Sequence, residues 1–160
     1  MKFLRIACSV PATHDNCITL YACSYEDVYN GQKYAFIDVE YNYTQAEAKC
    51  AENGGTLAMA NDNGTFHFFQ DLFNAYWNLG GVVGTAYLDG SKRAANPLAS
   101  NDWYCASVPG VCPATMPWEF GVGEPSYAGE ACVGLFSWLK TGVASAACGS
   151  KYAAMCKLPL

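Results

Sequence analysis

The sequence has no apolar run approaching the ~18 residues of a membrane-spanning helix, because Asp, Gln, Asn or Lys interrupts every candidate. It is also poor in cations: Lys and Arg total 9 against 14 acids, a net charge of -5. Phosphate recognition needs a basic face, so a nucleic-acid partner is disfavoured, while the acids suit a cation. Histidine occurs only as His14 and His67, neither within a metalloprotease or hydrolase motif. No nucleophile elbow or phosphate loop is present, and Gly121-Val122-Gly123 runs into Glu-Pro rather than a helix, so it is not a dinucleotide fingerprint. Glu124 and Glu130 could meet the carboxyl separation of a glycosidase only by chance. The sequence therefore carries no motif that reads as an enzyme.

What is abundant is apolar surface and cysteine. Apolar residues make up 52% of 160 residues and charged ones 14%, the balance of one domain that buries its own core. The nine cysteines form no Cys-x-x-Cys pair, which points to disulfides and a secreted chain rather than to zinc or redox chemistry. Two N-glycosylation triplets, at Asn42 and Asn63, agree with a secretory route. Met1 to Arg5 has the charge of a signal n-region, but Cys8, Pro11, His14 and Asp15 follow before any adequate apolar stretch, so it reads as a mature start.

Residues 1–33 hold three cysteines and the turn pair Asn30-Gly31, and read as a cysteine-containing extension or hairpin preceding a domain over 34–160. Strand alternation begins at Tyr34–Tyr41. Thr44-Gln45-Ala46-Glu47 has the capping-box pattern, and Asn53-Gly54-Gly55 closes the helix it opens. Phe66, Phe69, Leu72, Phe73 and Tyr76 recur at three- and four-residue steps, predicting a second helix over 65–78. From Val82 to Tyr127, short apolar pieces between turn signals predict one long loop region, with Cys105 and Cys112 close enough around Pro109-Gly110 to form a staple. Final strands are expected over 131–138 and 151–158. Of the N-terminal cysteines, Cys17 and Cys23 would close a short hairpin, leaving Cys8 for a disulfide-linked homodimer.

The order of these features resembles the C-type lectin-like domain over residues 34–158. A helix bearing Cys50 precedes Gly54-Gly55-Thr56-Leu57-Ala58; Val82-Val83-Gly84-Thr85 stands where that family has Trp-Ile-Gly-Leu. The long loop leads through Trp118 to Gly123-Glu124-Pro125-Ser126, then Glu130, Cys132, Cys148 and Cys156. The resemblance implies an α+β fold, with two helices packed on small antiparallel sheets, a long loop region, and nested disulfides Cys50–Cys156 and Cys132–Cys148. It also implies calcium held by Glu124, Ser126 and Glu130. Trp118 and Tyr127 are candidates to stack on a sugar, the other reading of Trp118 being a core residue.

The chain departs from that pattern at two places. Ser126 replaces the usual Asn or Asp, and Val143-Ala144-Ser145 stands where sugar-binding members carry Trp-Asn-Asp. Fewer strong oxygen ligands imply weak calcium binding at most. The leading expectation is a secreted, glycan-binding lectin domain with mannose-type, weakly calcium-dependent recognition. The alternative is a calcium-independent structural or protein-interaction module on the same fold.

Overall fold

The computed structural model describes residues 5–9, 22–81, 84–92, 103–107, 112, 115–119, 123–124, 132–138 and 140–160. Its strands are β1 (Arg5–Ser9), β2 (Ala22–Tyr29), β3 (Gln32–Tyr41), β4 (Thr56–Leu57), β5 (Thr85–Lys92), β6 (Trp103–Tyr104), β7 (Cys132–Phe136), β8 (Ala144–Ala146) and β9 (Tyr152–Leu158). Helices α1 (Tyr43–Glu52) and α2 (Asn63–Asn78) follow β3 and β4. The strands join in one sheet, in the order β1-β2-β3-β9-β5-β7-β8, with β4 beside β9 and β6 beside β5. The expected small antiparallel sheets are thus a single mixed sheet: β5 and β9 run parallel, with Ala86 opposite Ala153.

The period-two alternation of β3 divides the core between the sheet's two faces. Tyr34 and Phe36 belong to a cluster with Phe66, Phe69, Phe73 and Tyr76 of α2, whereas Ala35 and Ile37 belong to one with Tyr43, Ala46 and Cys50 of α1. Phe36 meets Phe73 edge-on, with ring centroids 5.1 Å apart, a geometry that contributes about 0.5–1.5 kcal/mol beyond area burial. No helix among the described residues is long and apolar enough to cross a membrane.

Local chemistry explains where elements begin. The hairpin between β2 and β3 turns at Asn30 and Gly31, both at positive φ, as a tight two-residue connection requires. α1 starts two residues before the expected capping box. Asn42 Oδ1 accepts from Gln45 N at 2.9 Å, and Gln45 Oε1 accepts from Asn42 N at 3.1 Å, so Asn-x-x-Gln supplies the reciprocal cap. This start also buries Tyr43, whose N–H donates to Cys148 O at 2.9 Å. α2 is capped by Asp62, which accepts from Thr65 N at 2.7 Å.

The expected loop over 82–127 contains a central strand. All of Thr85 to Gly90 is buried, the polar Thr85 and Asp89 included, so β5 shows no alternation of apolar and polar residues. Sulfur–sulfur bonds join Cys50 to Cys156, Cys105 to Cys112 and Cys132 to Cys148. The first spans 106 residues, and closing a loop of that size stabilises a fold by about 4–5 kcal/mol in the chain-entropy account.

Candidate functional site

The long loop leaves β5 and returns through β6, and its root is held by a carboxylate. Asp89, 1% exposed, accepts from Ala106 N and Ser107 N, each at 2.8 Å, and from Ser107 Oγ. The Cys105–Cys112 bridge closes the next turn, with Cys112 N donating to Trp103 O at 2.7 Å. Tyr43 anchors the same root from α1: its hydroxyl accepts from Gly90 N at 3.1 Å, and burial pushes its pKa upward, so the phenol stays neutral.

Further along, the loop is stitched to β8 and the segment before it. Trp118 and Val143 form a parallel bridge, with Glu119 N donating to Val143 O at 2.9 Å and Val143 N to Pro117 O at 2.7 Å. That approach demands glycine at 142, because a Cβ there would lie 2.5 Å from Glu119 N. Glu119 is buried, and its Oε2 accepts from Thr141 N at 3.0 Å and Thr141 Oγ1 at 2.5 Å. Glu124 Oε2 accepts from Ser145 N at 2.9 Å and Ser145 Oγ at 2.6 Å. Three acids, Asp89, Glu119 and Glu124, thus each take an N–H and an O–H from a single Ser or Thr, two charge-assisted bonds apiece.

Of the residues singled out in the sequence, Glu124 is therefore at the loop's junction with β8. Trp118 is half-buried, its ring 4.9 Å from that of Trp103, and it packs against the α2-side core. Ser126, Tyr127, Glu130 and Cys17 lie outside the described residues. His67 is exposed on α2 with Nδ1 3.0 Å from Gln70 Oε1. Asn42 serves as the α1 cap, and Asn63 is exposed in the first turn of α2. Cys8 stands directly opposite Cys23 in the β1–β2 register. Sequence reasoning missed Asp89, Glu119 and Thr141, because hydrogen-bond partners separated by 18 or 22 residues leave no local pattern.

The described residues do not fit a calcium cage of the kind the resemblance implies. Calcium needs six to eight oxygens, yet Val143 and Ala144 bring no side-chain oxygen. Ser145 turns its hydroxyl proton toward Glu124 instead of offering its oxygen beside it. Among the described residues no group of three or more His, Cys, Asp or Glu could hold a metal.

No family model matches the sequence, and comparison with curated proteins gives no significant match. Comparison with solved structures does. The C-type lectin CEL-I from Cucumaria echinata aligns with 84% of this chain and 94% of its own at 12% identity, with a TM-score of 0.64. Human lithostathine aligns with 84% and 88% at 19% identity and a TM-score of 0.67. A calcium-independent type II antifreeze protein aligns with 94% and 95% at 16% identity and a TM-score of 0.62. With two helices, a mixed sheet, the nested disulfides and a long loop rooted on β5, the chain has the C-type lectin-like α+β fold.

Proposed function

We propose that this chain is a secreted, non-catalytic recognition domain whose long loop region, over residues 105–130, contacts its ligand directly rather than through calcium. One observation carries the reading: Glu124, the residue expected to grip the metal, is engaged by both donors of Ser145. Three disulfides suit an oxidising compartment. The calcium-independent antifreeze protein supports the view that this fold does not need the ion.

Glycan is one ligand class for this loop region, whose sequence supplies Ser126, Tyr127 and Glu130 as polar residues following Glu124, with Trp118 serving chiefly as packing. A protein ligand is the other class. Few groups touch a monosaccharide, so useful sugar affinity would come from several copies presented together. A glycan array probed with calcium and again with chelator tests the proposal. Any sugar signal should be the same in both; sugar binding abolished by chelator would overturn it and restore the calcium-dependent lectin reading.

A further inference from the structure

The glycine pair after α1 and the end of β9 border an open cleft of about 480 Å³, whose lining includes Gln32, Thr56, Ser107, Lys157 and Pro159. A smaller recess of about 120 Å³ shares Ser107 and Lys157 with it and adds Tyr34 and Asn61. The larger volume lies within the usual range for small-molecule sites, about 300–1,000 Å³. None of these residues belongs to the Glu124 set.

The cleft is held in shape before any ligand arrives. A Cβ on Gly55 would lie 2.0 Å from Lys157 O, so only glycine lets this turn close on β9; Gly54 beside it sits at φ +79°. On the other wall, Ser107 is fixed through its N–H and hydroxyl to the buried Asp89, and Cys105–Cys112 closes the adjoining turn. Rigid walls lower the ordering cost of binding.

Its chemistry is directional. Among the described residues Lys157 makes no ion pair and is the one charged residue lining either recess, and it is exposed. Lys33, by contrast, already pairs with Glu26 at 2.8 Å. In a chain of net charge -5, a cation left in a cleft marks a place for an anionic group. The neutral residues complement it. Gln32 spends its amide N–H groups on Leu158 O at 2.6 Å and Lys33 O at 3.1 Å, which leaves its Oε1 to accept. Ser107, which lines both recesses, donates its hydroxyl proton to Asp89, which leaves its oxygen only to accept. One cationic donor beside two acceptors matches an anion that also carries hydroxyl donors.

We infer that this cleft is a second ligand site that takes an acidic monosaccharide, its carboxylate on Lys157 Nζ and its ring hydroxyls donating to Gln32 Oε1 and Ser107 Oγ. Calorimetry at low salt with chelator present tests it, using glucuronate, glucose and inorganic sulfate as probes. Glucuronate should bind about tenfold or more tightly than either glucose or sulfate, tenfold being the worth of one charge-assisted hydrogen bond. Lys157→Gln should remove that preference, Lys157→Arg should keep it, and Gln32→Ala should weaken glucuronate but not sulfate. Lys140→Gln, which removes an exposed cation outside both recesses, should change nothing. Glucuronate no tighter than glucose, sulfate as tight as glucuronate, a folded Lys157→Gln with unchanged affinity, or loss of binding in Lys140→Gln would each overturn the assignment.

Discussion

Ser145→Asp puts the carboxylate of a lectin-type cage back opposite Glu124 and tests whether a hydrogen-bond clamp has taken the place of a cation. The serine hydroxyl lies 2.6 Å from Glu124 Oε2 and is 2% exposed. Removing a donor to a charged acceptor costs about 1.5–3 kcal/mol. Setting two like charges about 4 Å apart at an effective dielectric of 20 costs up to about 4 kcal/mol, part of it relieved if either group rotates or takes a proton. A net loss of about 3–5 kcal/mol lowers the Tm by about 6–20 °C for a chain of this size. The assay is thermal unfolding of both proteins in chelator and in about 10 mM calcium. If the paired carboxylates bind calcium at about 10⁻⁴ M, saturation returns about 2.7 kcal/mol to the variant, or about 5–11 °C. The wild type should not shift, because Ser145 already satisfies Glu124. A variant as stable as wild type in chelator, or a wild type that gains as much from calcium, would refute the reasoning. Ala144 is kept in this design because it is 3% exposed, and asparagine there would overpack the site.

Two further outcomes follow from the register and the caps. Cys8 and Cys23 are direct cross-strand partners, so non-reducing peptide mapping should find Cys8–Cys23 and leave Cys17 as the odd thiol; a Cys17–Cys23 peptide, with Cys8 joining two chains, would restore the covalent dimer. Asp62→Ala should cost about 1 kcal/mol at neutral pH through loss of the α2 cap. The Thr65 N–H holds the Asp62 carboxyl below its usual range. A depressed folded pKa gives stability that is present above the unfolded value and lost as pH falls through the folded one. The gap between wild type and Asp62→Ala should therefore narrow below about pH 4, and denaturant titrations showing the same gap at neutral and acid pH would contradict it.

The fold was legible where one physical signal dominated. The apolar period of α2, the glycine stop after α1 and the spacing of Cys50, Cys132, Cys148 and Cys156 are all local or ordered along the chain. β5 was hidden because a strand buried on both faces has no alternation to read. β8 was hidden because three small residues, Ala144 to Ala146, carry too little pattern. At the site, the absence of strong ligands at Val143-Ala144-Ser145 was visible in the sequence. That Ser145 would instead hold Glu124 was not, since it depends on two segments 21 residues apart meeting through the Trp118–Val143 bridge. The α1 cap was misplaced by two residues because two overlapping polar pairs satisfy the same motif, and burial of Tyr43 decided between them.

Lys92 and Trp103 face one another across the β5–β6 pairing, so residues 93–102 depart from and return to a single point on the sheet. Just beyond that point the chain is tied down by Asp89 and by Cys105–Cys112. Lengthening a connection between fixed ends is cheap, about 0.6 kcal/mol for each doubling. The base at Lys92 and Trp103 is consequently a place where the length of the connection between β5 and β6 can change at small cost, because its closure is already secured by Asp89 and the Cys105–Cys112 bridge.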